Sequence, residues 1–281
     1  MTLSGGLTRP GERDRPIIKF MEVDWTFCLV LALIAGIGGL MLFSIAGASW
    51  EPWADKHLLR FGIYFVMMIV LAMIDLRVWF AIAYPLYAVG LLLLVAVELV
   101  GDVSLGAQRW LSIGPLRFQP SEIMKIGVVL ALARYYHGLS ADSARLSWRL
   151  LIPALMVATP VLLVAHQPDL GTAILIAAPG FAVMVLAGLS WRIILAGAAA
   201  VLAAIPPFVM FVLHDYQRNR VLTFLNPEQD PSGTGYHILQ SKIALGSGGL
   251  LGKGFGLGSQ SQLNFLPEKQ TDFIFATLAE E

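Results

Sequence analysis

Residues 57–97 read HLLRFGIYFVMMIVLAMIDLRVWFAIAYPLYAVGLLLLVAV, and this stretch decides the fold. It holds two apolar runs, His57–Ile74 and Val78–Val97, parted by Asp75 and Arg77. A bilayer core takes about 20 apolar residues per helix. Each run therefore predicts a membrane helix, and the charged break predicts a turn at the membrane surface. The same criterion carried outward finds Asp24–Ala48 before them, and Glu122–Tyr136, Leu150–Ala165, Leu170–Leu189 and Ile193–Leu213 after them. Glu122–Tyr136 and Leu150–Ala165 are short for a span. An eighth run starts at Phe273 and reaches Glu281, nine residues that do not cross a bilayer. The expected fold is all-α: a polytopic membrane helix bundle with seven complete transmembrane helices plus the start of an eighth.

Composition agrees. Of 281 residues, 57% are hydrophobic and 14% charged, and the mean hydropathy is +0.72. Soluble domains carry about 25% charge, so too few charges remain here to coat a water-facing surface, and the apolar content excludes disorder. Lys and Arg equal Asp and Glu at 19 each, which leaves no basic excess for nucleic acid. The single cysteine, Cys28, lies in an apolar run and is expected to pack there. It allows neither an intrachain disulfide nor a cysteine zinc site.

The first 23 residues are polar and include Arg9, Arg13, Arg15 and Lys19. The run behind them is too long for a signal peptide and lacks a clear cleavage site, so it reads as a retained helix. With residues 1–23 as a cytoplasmic tail, the inside segments carry those four cations plus Arg77, Arg134, Arg145, Arg149 and Arg192. The short outside loops carry Lys56, Arg60, Arg109 and Arg117. Nine against four obeys the positive-inside rule. Two polar segments then face outward, Gly101–Ser121 and the long loop 214–271. Neither reads as a separate domain, so residues 24–281 form one transmembrane domain. Ile238, Leu239, Ile243 and Leu245 predict a short amphipathic helix in Gly235–Leu245 at the outer surface.

Several residues could carry chemistry. Glu122 and Lys125 stand at i and i+3 and share a helical face. They are either a self-neutralising ion pair or the wall of a polar cavity, because ionisable groups in membrane helices face one another or a cavity. Asp272 precedes FIFATL, where the chain re-enters the membrane. It reads as a helix N-cap or as a base that takes a proton from a substrate hydroxyl, its pKa raised by partial desolvation. Asp169, ahead of an apolar run in HQPDLGTAILI, carries the same ambiguity. Arg109, Arg117, Arg218 and Arg220 are solvated or headgroup-facing charges, or guanidinium forks for a pyrophosphate. Trp110 suits an interfacial anchor. GSGGLLGKGFGLG, residues 246–258, is not a P-loop because Gly254 follows Lys253. It predicts flexibility and close backbone packing. The five histidines are scattered without ligand spacing.

Three blocks carry a resemblance. AQRWLSIGPLRFQPSEIMKI, HQPDLGTAILI, and the loop from RNRVLTFLNPEQDPSGTGYHILQSKIALGSGGLLGKGFG to FLPEKQTDFIFATLAEE are similar to the SEDS family of bacterial cell-wall proteins, closest to its elongation branch. The resemblance implies a glycosyltransferase that polymerises lipid II into glycan strands outside the cytoplasmic membrane, during elongation and rod-shape maintenance. It implies a class B penicillin-binding protein as cross-linking partner, within a larger elongation complex, and a divalent cation, Mg or Mn, as a candidate aid to the leaving diphosphate. By similarity the catalytic aspartate falls on Asp272. Cavity or substrate-binding roles fall on Glu122, Lys125, Arg109, Arg117, Gln119, Ser121, Asp169, Arg218 and Arg220. The family has ten membrane helices, so the resemblance also leads one to expect a C-terminally incomplete chain that polymerises poorly alone. Two other classes compete: a transporter that flips a lipid-linked precursor, and a non-catalytic scaffold. A transporter places its ionisable groups near the bilayer midplane, whereas these cluster toward the outer face.

Overall fold

The computed structural model describes residues 16–104, 107–114, 116–139, 148–211, 218–219, 222–224, 226–229 and 235–281. Helices dominate in the expected order. They are α1 (Pro16–Glu22), α2 (Trp25–Ile45), α3 (Ala54–Met73), α4 (Leu76–Val100), α5 (Pro120–His137), α6 (Leu151–His166), α7 (Leu170–Leu186) and α8 (Trp191–Phe211). After them come α9 (Tyr236–Gly248), α10 (Ser259–Gln262) and α11 (Ile274–Glu280). Four of these, α2, α3, α4 and α8, are long and apolar enough to cross a membrane. The helices α6 and α7 are apolar but shorter. The helix expected over part of Gly235–Leu245 is α9. The polar segment after α4 contains more than a connection. It holds a small antiparallel sheet of β1 (Asp102–Ser104), β2 (Ala107–Ile113) and β3 (Leu116–Phe118), in that order. Asp102 pairs with Trp110, and Ser112 with Arg117. Gly114 takes φ +61° at the β2–β3 turn, a conformation most open to glycine.

Three helices start on an aspartate, and each caps in the same way. The side chain of Asp24 accepts from the Phe27 N–H at 3.1 Å, Asp75 from Arg77 at 2.8 Å, and Asp169 from Thr172 at 3.2 Å. Each satisfies one of the N–H groups that a helix start leaves without an internal partner.

The contacts divide the chain into two compact units, 1–73 with 206–281, and 74–205. In the second unit α5 lies against α4, α6 and α7. Leu94, Met124, Val128, Leu132, Val164, Ala173 and Ile176 form its core. One face of α5 is buried in that core, while Ile126 on the other face stays 56% exposed. Prolines inside these helices free carbonyls, and neighbouring helices take them up. Pro160 has no N–H for the Met156 carbonyl, and the Tyr87 hydroxyl donates to it at 3.0 Å. Pro85 likewise frees the Ala81 carbonyl, which accepts from Arg134 at 3.0 Å. An unmet carbonyl in hydrocarbon costs several kcal/mol, so these two bonds let helices with internal prolines persist.

In the first unit α2 packs on α3, and α11 packs on α9, α10 and α2. Ala244, Leu266 and Ala276 form a small core there. The glycine run is packed as its composition predicts. A Cβ on Gly248 would overlap the Ala279 carbonyl, and one on Gly252 (φ +72°) would overlap the Glu281 carbonyl. Cys28 is buried, as expected.

Candidate functional site

Asp272 lies immediately before α11, yet it does not cap that helix. The N-cap position belongs to Phe273 and carries no side-chain capping bond. Asp272 is exposed and makes no side-chain hydrogen bond or ion pair with a described residue. The structural role that competed for this carboxylate is therefore absent, and its position is fixed through its neighbours. Three residues upstream, Lys269 Nζ donates to the Ser261 carbonyl at 2.6 Å and to Asn264 Oδ1 at 2.8 Å. Burial pushes the Lys269 ammonium below the ordinary lysine range, and the nearby Glu281 opposes that shift. Downstream, α11 is held at its far end by Glu280.

Glu280 is fully buried. Its Oε1 accepts from Lys253 Nζ at 2.7 Å and from Ser259 Oγ at 3.0 Å, and both its oxygens lie 3.1 Å from the Gln260 N–H. The Lys253 and Gly254 amides donate to the carbonyls of Glu280 and Glu281 at 2.8 and 3.0 Å. Glu281 in turn accepts from Ser44 Oγ of α2 at 2.6 Å, and Gln262 Nε2 donates to the Ser44 carbonyl at 3.2 Å. The glycine-rich turn and α10 thus grip the end of α11 and tie it to the end of α2.

Beside Asp272 the structure opens a cleft of about 680 Å³. Its walls include Trp53, Lys56, His57 and Arg60 on one side and Gln270 and Thr271 on the other. Sequence reading used Lys56 and Arg60 only as outside charges and missed them as site residues. A usable signal was there. Two cations in the first two turns of α3 oppose the helix dipole, which favours anions at that end.

Arg109, Arg117, Gln119, Ser121, Glu122, Lys125 and Asp169 lie in the other unit. Asp169 does cap α7, and it also meets Arg109, Nε to Oδ2, at 3.5 Å. Thr172 Oγ1 donates to Asp169 at 2.8 Å. Arg109 Nε is buried and, despite this ion pair, makes no hydrogen bond among the described residues. Glu122 and Lys125 form an ion pair at 2.8 Å, so the self-neutralising contact is present. Ser121 Oγ is buried without a hydrogen-bond partner among the described residues. Gln119 is half-buried at the N-cap of α5. Arg117 is exposed and stacks over Trp110 at 5.7 Å. Arg218 is exposed, and Arg220 lies outside the described residues. So do Arg9, Arg13, Arg15 and Arg145 of the charge asymmetry. Among the described residues no three His, Cys, Asp or Glu side chains gather as metal ligands.

Asp169 yields a test of its own. Asp169→Ala removes a cap, which costs about 1 kcal/mol, and strands a half-buried guanidinium as well. The unfolding midpoint in detergent is expected to fall, and Asp169→Asn, which keeps a capping oxygen, is expected to lose less. Equal midpoints for all three proteins would show that the cap and ion pair carry no stability.

Long apolar helices, with ionisable side chains gathered at their ends, define an integral membrane protein of the polytopic helical class. The chain belongs to the cell cycle protein family of FtsW, RodA and SpoVE, which it matches over residues 24–281. It is 47% identical over 262 residues to "Peptidoglycan glycosyltransferase MrdB" of Escherichia coli K12, covering 93% of this chain and 70% of that protein. It is 34% identical to "Probable peptidoglycan glycosyltransferase FtsW" of Idiomarina loihiensis, covering 91% and 63%. Among solved structures, a chain described under "Structural coordination of polymerization and crosslinking by a peptidoglycan synthase complex" matches at TM-score 0.73. That match has 34% identity and covers 92% of this chain and 70% of that one. The rod shape determining protein RodA of Thermus thermophilus matches at TM-score 0.55 and 35% identity, over 64% of this chain and 59% of that one.

Proposed function

We propose that the chain is a peptidoglycan glycosyltransferase that polymerises lipid II in cell elongation, working beside a class B penicillin-binding protein that cross-links the product. Family membership sets the reaction class. The observation that carries the site is Asp272: an exposed carboxylate with no capping role, next to a cleft lined by cations. The inside-to-outside charge asymmetry supports an outward-facing position for that end of α3. A lipid-linked donor keeps its tail in the bilayer, so its reacting bond lies at the same surface.

In the reaction an acceptor sugar hydroxyl attacks the donor's anomeric carbon. Asp272 takes the hydroxyl proton as the new carbon–oxygen bond forms. The bond from the anomeric carbon to the diphosphate breaks, and its electron pair leaves with the diphosphate oxygen. The transition state is oxocarbenium-like, as in glycoside hydrolysis. Cations near the leaving oxygen stabilise the charge that grows there. The products are a longer glycan and a polyprenyl diphosphate.

An assay with labelled lipid II, run on wild type and on the Asp272→Ala variant, tests the reading. Polymer that disappears with the substitution supports it. Translocation without polymer would assign a transporter, and neither activity would leave a scaffold. Sidedness has a separate test. Cys28 is buried, so a cysteine introduced by Thr271→Cys can be labelled over a low background in whole cells by a membrane-impermeant maleimide. Labelling from outside is expected, and labelling only after lysis would overturn the outward site.

A further inference from the structure

The cleft beside Asp272 has a composition that the catalytic carboxylate does not explain. Lys56 and Arg60 stand at i and i+4 and share one face of α3. Neither makes a hydrogen bond or ion pair with a described residue. No carboxylate lines the cleft. Two like charges on one helix face repel, and near a helix N-terminus they also oppose the dipole. Asp55 in the same turn and Glu268 behind Gln270 are the nearby carboxylates, and neither lines the cleft or pairs with Lys56 or Arg60, so a bound anion would supply the counter-charge on this face. His57 is occupied otherwise: its Nε2 meets the Ala35 carbonyl at 3.1 Å, so it joins α3 to α2. Of the other cations considered for a phosphate, Arg109 meets Asp169 and Arg117 stacks on Trp110, while Arg218 is exposed and Arg220 lies outside the described residues.

We propose that this cleft seats the diphosphate of a lipid-linked sugar donor, with Lys56 and Arg60 as its cations. The inference rests on the polymerase reading and adds to it the residues that hold the leaving group. A guanidinium and an ammonium together suit a diphosphate: the fork takes two oxygens and the ammonium acts as a point charge. Gln270 and Thr271 form the wall at the Asp272 end, where their side chains donate to Glu268. The volume is in the range of small-ligand sites. The adjacency to Asp272 selects the donor's diphosphate. The base, the attacking oxygen, the anomeric carbon and the leaving oxygen lie in sequence, so the leaving diphosphate sits close to the base. The acceptor's own diphosphate lies a disaccharide away.

The test is equilibrium binding of farnesyl diphosphate to the full 281-residue chain in detergent, with inorganic pyrophosphate as competitor. Wild type is expected to bind, and its affinity is expected to fall as salt rises. The double substitution Lys56→Ala with Arg60→Ala is expected to weaken binding about 10–100-fold, since two charge-assisted contacts are lost. Lys56→Arg with Arg60→Lys, which keeps both charges, is expected to restore most of it. Asp272→Asn, which removes a negative charge close to the diphosphate, is expected to bind no more weakly than wild type does. In the polymerisation assay the double alanine protein is expected to need more lipid II. A double alanine protein that binds the probe as wild type does overturns the cleft and leaves Asp272 untouched. Normal polymerisation by Asp272→Asn with binding still lost in the double variant overturns the polymerase mechanism and leaves the cleft. Pyrophosphate that competes as well as the prenylated probe overturns the lipid-linked assignment in favour of a free diphosphate. Both cations are exposed, so the variants are expected to fold, and an unchanged unfolding midpoint verifies it.

Discussion

Asp272→Asn is expected to lower glycan polymerisation by about 10²–10⁴-fold, the range that a positioned general base contributes. Stability is expected to stay within about 0.5 kcal/mol of wild type, as for exposed side chains away from special contacts. The two halves of this result follow from one observation. The Asp272 carboxylate is exposed, caps no helix and bonds to no described residue, so the folded state has nothing to lose with it. Asparagine keeps the shape and removes only the ability to take a proton. Rate measurements on lipid II, with unfolding midpoints beside them, check both parts. Activity close to that of wild type would remove Asp272 from the mechanism. A large fall in the midpoint would mean that it is a structural residue after all.

Glu280→Ala is expected to do the reverse, losing stability first and activity with it. Its carboxylate is fully buried and takes hydrogen bonds from Lys253, Ser259 and the Gln260 amide. Removing one partner of a buried pair is costly because the other is left uncompensated, at about 3–5 kcal/mol. Lys253 keeps 30% of its side-chain surface exposed and can partly rehydrate, so the lower end, about 3 kcal/mol, is expected. Replacing both residues, Glu280→Leu with Lys253→Met, is expected to recover much of that loss, since an apolar pair carries no desolvation penalty. The double-mutant cycle, read by denaturation in detergent, isolates the coupling. Polymerisation should track stability across this series, because α11 begins two residues after Asp272 and Glu280 anchors its far end. A single Glu280→Ala protein as stable as wild type would show that the buried pair does not hold the loop.

The two aspartates show what a sequence can and cannot separate. Asp169 and Asp272 both precede apolar runs, and local pattern offers a cap at each. The structure caps α7 with Asp169 and leaves Asp272 out of the cap of α11. The difference depends on where each helix begins, and helix ends are set by a balance too fine for pattern to resolve. The glycine-rich run is a similar case. Its composition announced close packing, and the close approaches to Ala279 and Glu281 bear that out. Nothing in it announced that Lys253 would meet a carboxylate 27 residues away. The sheet at 102–118 also escaped, because β1 and β3 are three residues each and β2, AQRWLSI, does not alternate apolar with polar.

Sequence by itself determined the helical class and the order of the apolar helices, their charge asymmetry, the buried Cys28 and the candidate carboxylates. Each of these is a sum or a spacing over neighbouring residues, and hydrophobic transfer and helix periodicity act on that scale. Tertiary structure alone decided which cations are already engaged, that Glu280 is buried and gripped, and that α3 and residues 270–271 enclose one cleft. Those outcomes join residues far apart in the chain, such as Ser44 and Glu281 at a separation of 237. Only the folded path of the backbone brings such groups within hydrogen-bonding distance.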